Sequence, residues 1–386
     1  MGLGHSAGGA YNERSERKPL PLPLHACLDG FMPLSPQRLN LSLVLVTATC
    51  LAALGSDRSS CRAQTPDARA DEVIDQGLLW LASQQHRLGH WTAQGRYPAA
   101  MTALSGLAFL CEGSTPTQGT YSENVRSAVD YLVRQARPNG LIGDPLRDDR
   151  YTYGHGFSML FLSQVLGEEE DYQRQQELIR VLTKAVEFTG EAQTAAGGWG
   201  YVSAKDQSGF DEGSTTITQV QGLRGCRNAG IPVPKVVIDK AVEYIHNCTL
   251  KDGGVQYSSK GGGGRPAITA AAIACLYNAG EYDDEFVPRM REYCRRHLDA
   301  HNQSNYGHWH YAHFYYSQVQ YREGGETWEN YRKATAAKLI REASRVQTPA
   351  GQGVTWGQGY IGNVYTTALN LIILQQENAA LPIYQR

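Results

Sequence analysis

The sequence GGWGY, at residues 197–201, lies between two helical patterns of opposite character. Before it, residues 178–193 place apolar side chains at i, i+3, i+4 and i+7 with charges opposite, which is typical of an amphipathic helix with one buried face. After it, residues 215–230 carry few charges and end in glycine, which is typical of a helix buried on both sides. This stretch therefore predicts a helical hairpin closed by a tight glycine turn.

The same unit occurs six times beyond residue 72, which predicts an all-α repeat fold. The predicted first helices are residues 74–85, 125–136, 178–193, 237–248, 287–298 and 334–347. The predicted second helices are 101–113, 156–167, 215–230, 267–280, 311–324 and 365–376. The economical packing is two concentric rings with the apolar second helices inside. The end repeats have no polar outer face, so we expect a closed ring rather than an open solenoid.

Several first helices end near glutamine, and we expect these amides to bond the carbonyls freed at the helix ends. Five second helices end in glycine, at 113, 167, 230, 280 and 324, as expected for left-handed C-caps. The sequence KGGGGR (260–265) predicts a flexible linker, or a glycine loop closing over a phosphate. Five cysteines follow residue 63 without a CxxC pair, and we interpret them as small buried hydrophobic residues rather than a disulfide framework or a zinc knuckle.

The composition predicts a folded chain with an export signal. Of 386 residues, 41% are hydrophobic and 19% charged; the net charge is −2 with no basic stripe, which argues against a nucleic-acid partner. The apolar run 39–55 follows Arg38 and precedes small residues up to Ala63, as in a signal peptide. We therefore predict a true start at Met32, cleavage before Gln64, a linker at 64–71, one domain at 72–386, and export to the periplasm or beyond. No later stretch is long enough to be a transmembrane helix.

The loops, the helical pairing and the sixfold count resemble the α/α-toroid superfamily of terpenoid cyclases and protein prenyltransferase β subunits, over about residues 72–380. Residues 215–245 and 264–284 look like prenyltransferase/squalene-cyclase-repeat proteins of bacterial envelopes. The resemblance implies a site where the N-termini of the inner helices converge at one mouth of the ring. It does not by itself define a reaction, because this fold carries several functions.

The catalytic motifs of this superfamily are incomplete here. Where class II cyclases carry DxDD, this chain has DEGSTT (211–216): Asp211 keeps the first carboxylate, and Gly213 and Ser214 replace the next two. The zinc-binding Asp-x-Cys of prenyltransferases falls near His308 and His310, and its later histidine falls near Tyr365. Neither activity is expected from these residues.

The stretch YGHWHYAHFYYSQ (306–318) concentrates three histidines at the start of the fifth inner helix. His308, His310 and His313 would form an open zinc site, to which His155 of the second repeat could add a ligand. The alternative is a polar and aromatic lining without metal.

Two functional hypotheses follow from these residues. The first is an exported toroid enzyme acting on an isoprenoid or other hydrophobic molecule. Its candidate catalytic groups are Asp211, His155, His308 and His310, and its candidate substrate contacts are Tyr153, Trp309, Tyr311, Thr215 and Tyr365. The second is a non-catalytic module that binds a lipid, a glycan or an envelope partner.

Overall fold

A computed structural model describes residues 68–206, 209–298, 308–357 and 359–378. These residues belong to one compact unit, Gln64–Arg386. The predicted start, signal peptide and cleavage site lie outside the described residues and stay predictions. No helix in the described ranges is long and apolar enough to cross a membrane.

Twelve helices in the described residues alternate between an outer and an inner ring. The outer helices are α1 (Ala68–Ser83), α3 (Ser122–Gln135), α5 (Tyr172–Ala192), α7 (Lys235–Cys248), α9 (Val287–His297) and α11 (Gly325–Glu342). The inner helices are α2 (Pro98–Glu112), α4 (Tyr151–Leu166), α6 (Gly213–Asn228), α8 (Pro266–Ala279), α10 (Trp309–Glu323) and α12 (Asn363–Leu374). Two antiparallel ribbons, β1 (Gln256–Ser258) with β2 (Gly261–Gly264) and β3 (Ser344–Thr348) with β4 (Gly351–Thr355), lie in the fourth and sixth hairpins, and a short 3₁₀ helix (Gln376–Asn378) follows α12.

The ring is closed, as expected from the sequence. Each inner helix packs against the next, and α12 packs against α2. At this closure the Gln375 amide donates to the Ala108 carbonyl at 3.1 Å, and the Asn378 amide donates to the Cys111 carbonyl at 3.0 Å. The prediction of an α/α toroid of six hairpins is confirmed.

The burial of the two helix classes follows their sequence patterns. Every residue of α4 except Tyr153 is buried, because α4 is covered by the outer helix that follows it, α5, and by two inner neighbours. The outer helix α3 instead buries one stripe, Val125, Ala128, Val129, Tyr131 and Leu132. Removal of these apolar faces from water drives the assembly of the two rings.

The glycine-rich loop inside the third hairpin is hydrogen-bonded to its own outer helix, and the glutamine before it bonds the next hairpin. The Trp199 indole N–H donates to the Thr189 carbonyl of its own outer helix at 2.8 Å. The Gln193 amide donates to the Gly197 carbonyl at 2.8 Å and to the Val237 carbonyl of the next outer helix at 2.9 Å. The glutamine amides were expected to bond their own helix ends. Gln193 and Gln85 instead bond the loop and the following outer helix, and so fix the angle between these repeats.

The structure corrects several local expectations. Helix α11 ends at Glu342 rather than 347, because the β-branched residues Val346 and Thr348 pair in a ribbon with the glycine-containing strand β4. Residues 261–264 are not a flexible linker but strand β2, held by pairing to β1.

Gly167 has φ −71°, so its helix ends without the expected left-handed cap. Four residues of the predicted linker, 68–71, belong to α1. The five cysteines are free and buried, as predicted.

Candidate functional site

The start of α6 holds a buried carboxylate. Glu212 is the N-cap of α6, is 0% exposed, and accepts hydrogen bonds from the backbone N–H groups of Ser214 and Thr215, both at 2.8 Å. Its carboxylate also accepts from the Ser214 hydroxyl at 2.6 Å and from the Tyr153 hydroxyl of α4 at 2.7 Å. A helix N-terminus favours negative charge, so the backbone and both hydroxyls hold this carboxylate in place.

Tyr153 contacts this carboxylate, Tyr311 contacts Ser214 from across the ring, and Tyr365 of α12 lies near Tyr311. We define the central recess by Tyr153, Ser214, Tyr311 and Tyr365, with Glu212 behind them. Desolvation by the surrounding protein raises the pKa of Tyr153, Tyr311 and Tyr365 well above the usual value of a phenol. All three nevertheless keep a partly accessible surface. The Tyr311 hydroxyl donates to the Ser214 carbonyl at 3.2 Å across the ring.

Below the recess, side chains from opposite helices fill the centre of the ring. The rings of Phe157 on α4 and Phe314 on α10 meet edge to face, with centroids 6.4 Å apart. The Gln221 amide of α6 donates to the Gln318 amide oxygen of α10 at 2.8 Å. The ring is therefore blocked at this level, and the recess has an aromatic and amide floor.

Asp211, a predicted catalytic residue, points away from the recess toward α7 and the β1–β2 ribbon. It is 1% exposed and accepts from the Tyr244 hydroxyl at 2.9 Å. It also accepts from the Ser259 backbone N–H at 2.8 Å, the Ser259 hydroxyl at 2.6 Å and the Ser258 hydroxyl at 3.2 Å. With four donors on its carboxylate, Asp211 fixes the ribbon against the start of α6.

The three histidines of the fifth hairpin point in different directions. His313 bonds the Tyr331 hydroxyl of α11 at 2.9 Å, and His310 bonds the Asn370 side chain of α12 at 2.7 Å. His308 lies edge to face with Tyr360, with centroids 5.4 Å apart. Residues 68–206, 209–298, 308–357 and 359–378 contain no group of three His, Cys, Asp or Glu side chains that could hold a metal. The predicted zinc ligands are therefore not brought together.

Two of the predicted substrate contacts also lie outside the recess. Trp309 stacks on His313, with centroids 4.1 Å apart, and the Lys338 ammonium group lies 4.9 Å from the Trp309 ring centroid, so its ring faces α11. Thr215 is 0% exposed, and its hydroxyl donates to the Trp199 carbonyl at 2.5 Å.

Of the four predicted catalytic residues, Asp211 is adjacent to Glu212 in the chain but its side chain points away, and only the His308 side chain lies near the Glu212 carboxylate. Burial lowers the pKa of His308; the Glu212 carboxylate opposes this effect, and Arg265 adds to it. Asp211, His155 and His310 are hydrogen-bonded to other residues of the ring wall. The catalytic assignment of all four residues stays a prediction.

His155 takes the place of a threonine that recurs in the other hairpins. Its Nδ1 accepts the backbone N–H of Ile142 at 3.1 Å, and its Nε2 donates to the Thr189 hydroxyl at 3.0 Å. In four other hairpins the equivalent loop N–H donates to a threonine hydroxyl on the inner helix, namely Thr102, Thr216, Thr269 or Thr367. His155 is 0% exposed, so its hydrogen bonds hold the loop and helices together and its ring does not line the recess.

We expect His155 to make the protein less stable in acid. Burial lowers the pKa of His155 to about 4, below the 6.5 expected in the unfolded chain. Unfolding therefore takes up a proton between these values, and stability that is complete above pH 6.5 is lost as the pH falls toward 4. The loss from this residue is about 2 kcal/mol at pH 5. Urea unfolding at pH 5 and pH 7.5 measures it.

The matched variant for this test is His155→Thr, which restores the residue found in the other hairpins. Its loss of stability between pH 7.5 and pH 5 should be smaller than that of the wild type by about 2 kcal/mol. Equal losses in both proteins would contradict the buried neutral state of His155.

Glu212 was not predicted as a functional residue. It falls at the variable second position of the DxDD motif, so only Asp211 was matched to a carboxylate, although both carboxylates precede α6. The position of Glu212 directly before the polar start of a helix, followed by Gly213 and Ser214, was the available signal, since an acidic residue there caps the helix. Tyr153, Tyr311 and Tyr365 could be predicted from the sequence because each lies in the first turn of an inner helix.

The fold is shared with enzymes of two kinds. A variant of the type II terpene cyclase MstE from Scytonema, bound to geranylgeranyl dihydroxybenzoate, matches with a TM-score of 0.52 and 13% identity over 81% of this chain and 98% of that one. An inactive variant of the α-1,6-mannanase GH76A from Salegentibacter sp. HEL1_6, bound to α-1,6-mannotetrose, matches with a TM-score of 0.58. The two sequences are 10% identical, and the match covers 81% of this chain and 99% of the mannanase chain. No family model matches the sequence, and no curated protein matches it. These identities show the toroid fold alone.

Proposed function

We propose that this protein binds an isoprenoid-like hydrophobic molecule bearing a hydroxyl group in the central recess, and that it does so outside the cytoplasm. The observation that carries the proposal is the pair of hydroxyls, on Tyr153 and Ser214, held against the buried Glu212 carboxylate between aromatic walls. Aromatic walls with a few fixed polar groups are typical of small-molecule sites.

The hydrogen-bond directions specify the ligand group. A carboxylate accepts and cannot donate, so the Tyr153 and Ser214 hydroxyls both donate to Glu212. The two hydroxyl oxygens also lie 2.5 Å from each other, and the lone pairs that remain on them are acceptors. A ligand that donates a hydrogen bond, such as an alcohol or a phenol, satisfies them. The tyrosine rings and the Phe157–Phe314 floor would contact its apolar part.

The second candidate is a glycan, and one observation favours it. The inactive mannanase variant carries replacements at two consecutive aspartates, and this chain has consecutive carboxylates at Asp211 and Glu212. Glycoside hydrolysis uses two carboxyl groups that flank the scissile bond. Asp211 is turned toward Tyr244 and the β1–β2 ribbon, so only Glu212 lies at the recess. We therefore favour the hydrophobic ligand.

Export is part of this proposal because an apolar run with the layout of a signal peptide precedes Gln64. Expression of the full chain in a bacterial host, followed by fractionation and N-terminal sequencing, tests it. An exported product that begins at Gln64 supports export, and a full-length cytoplasmic product contradicts it.

We expect Tyr153→Phe to weaken binding of a hydroxyl-bearing isoprenoid. Removal of this hydroxyl deletes one acceptor in the recess and a donor to Glu212, which should raise the Kd of geranylgeranyl dihydroxybenzoate about 5- to 10-fold. Quenching of intrinsic fluorescence on titration measures the Kd. Mass spectrometry of an organic extract of the purified protein identifies any co-purified ligand.

Tyr172→Phe is the matched control, since Tyr172 is 71% exposed at the start of α5. It should bind like the wild type. Saturable binding of α-1,6-mannotriose without binding of the isoprenoid would favour the glycan instead. Isoprenoid binding that is unchanged in Tyr153→Phe would place the ligand elsewhere.

A further inference from the structure

The loops at the two ends of the ring carry opposite charge. We define the near loops as the described residues between each outer helix and the inner helix that follows, and the far loops as those that follow each inner helix. The near loops hold ten Lys and Arg residues, and all ten are exposed. Two lie in 84–97, three in 136–150, one in 193–206, three in 249–265 and one in 343–357. The same loops hold seven acidic residues, of which three, Asp148, Asp211 and Glu212, are buried. The far loops hold nine acidic residues and no Lys or Arg, in GEEED (167–171), GEYDDEF (280–286) and Glu377.

The near loops of the first four hairpins are linked by contacts between neighbouring hairpins. Arg96 pairs with Asp149 of the next hairpin at 2.8 Å, and the Arg150 guanidinium lies 4.3 Å from the Tyr201 ring centroid. The Tyr201 hydroxyl in turn bonds the Tyr257 hydroxyl of the fourth hairpin. The N-termini of the inner helices add partial positive charge at the same end. The exposed cations of the near loops are therefore gathered at one end of the ring, which we call the near face.

Two exposed leucines project from this face beside cations. Leu146 is 93% exposed and is followed by Arg147, and Leu88 is 52% exposed and is preceded by Arg87. They lie in the near loops of adjacent hairpins. A single exposed leucine is ordinary. Apolar tips beside cations on a positive face are typical of surfaces that lie at the interface of a bilayer, where the apolar group enters and the cation meets the head groups.

We propose that the near face docks on a lipid bilayer that carries anionic head groups, with Leu88 and Leu146 inserted. The acidic far loops would then point away from the bilayer, so charge also fixes the orientation. The proposal goes beyond ligand binding and stands without it. A hydrated acidic polysaccharide would satisfy the cations but would leave the two leucines in water, which is why the bilayer is favoured.

Flotation with vesicles tests the proposal. The protein is residues 64–386, because this compact unit contains the whole described ring and its core, and because the apolar run in residues 1–63 would bind lipid by itself. Vesicles contain either phosphatidylcholine alone or phosphatidylcholine with 30% phosphatidylglycerol. We expect binding to the anionic vesicles, with affinity falling as salt rises. A Lys or Arg near an anionic surface contributes about fivefold to binding, so Arg87→Glu with Arg147→Glu should weaken binding about 30-fold or more.

The control is Lys235→Glu, the same change of charge at an exposed far-end residue whose side chain is 87% accessible. It should leave binding unchanged, and Leu146→Ser should weaken it without altering the salt dependence. The proposal is overturned if the wild type does not float with anionic vesicles, or if Lys235→Glu weakens binding as much as the two near-face changes. Retention on heparin without vesicle binding would assign the face to a polyanion instead.

Discussion

Gly197→Ala is expected to destabilise the protein by about 4 kcal/mol and to lower its Tm by about 6 °C. Gly197 has φ +95°, and a Cβ added there would lie 2.2 Å from the Lys240 carbonyl oxygen of the next outer helix. Both the backbone conformation and the space exclude a side chain. The strain cannot be relieved by rotating a side chain, because the obstructing atoms belong to the backbone of α7. Thermal unfolding followed by circular dichroism measures the change.

Gly113→Ala separates the two causes of this effect. Gly113 has φ +106°, but nothing lies within 4 Å of an added Cβ. The conformational strain is thus present without the clash, and we expect a cost of about 1 kcal/mol. The same close approach recurs at Gly89, Gly140 and Gly253, where the added Cβ would lie 2.1–2.2 Å from a carbonyl oxygen of the next outer helix. Equal losses for Gly197→Ala and Gly113→Ala would mean that adjacent hairpins are not packed as closely as described.

Glu212→Ala is expected to cost about 4 kcal/mol and to abolish ligand binding in the recess. The substitution removes the N-cap of α6 and leaves the Thr215 N–H and the Tyr153 hydroxyl without their acceptor in a buried place. Loss of a cap costs about 1 kcal/mol, and each buried donor left unpaired costs about 1–3 kcal/mol. Urea unfolding measures the stability, and titration with geranylgeranyl dihydroxybenzoate measures the binding.

Glu191→Ala is the control for this prediction. Glu191 pairs with Lys205 at 2.6 Å, but both side chains are about 60% exposed. An exposed ion pair contributes little, so the cost should be below about 1 kcal/mol. If Glu212→Ala is as mild as this control, the carboxylate does not hold Tyr153 and Ser214 as described, and the proposed ligand site loses its polar group.

The ring could be predicted from the sequence because its two helix classes have different periodic patterns. The outer helix α3 shows one apolar stripe and the inner helix α4 none, so their order in the chain indicates which ring each belongs to. The β3–β4 ribbon could not be predicted in this way. Residues 344–348 continue the helical pattern of α11, and only pairing with a glycine-containing strand later in the chain makes them extended.

The site was less predictable because the direction of a side chain depends on packing between hairpins. His310 and His313 are close in sequence, yet one bonds α12 and the other α11, so their spacing suggested a ligand set that the fold separates. Asp211 and Glu212 are adjacent and point to opposite sides of the same loop. The sequence contains the residues of the recess, but the contacts that assign their roles come from residues about 30–100 positions away.

The contact between α12 and α2 has a consequence for how the molecule unfolds. In an open array, a terminal hairpin can detach by breaking one interface, and such arrays fray from their ends. In this ring every hairpin has a neighbour on both sides, so releasing any one of them breaks two interfaces at once. Partly unfolded forms therefore have a high free energy whichever hairpin is released. We expect the ring to unfold as a single cooperative unit despite its repetitive construction.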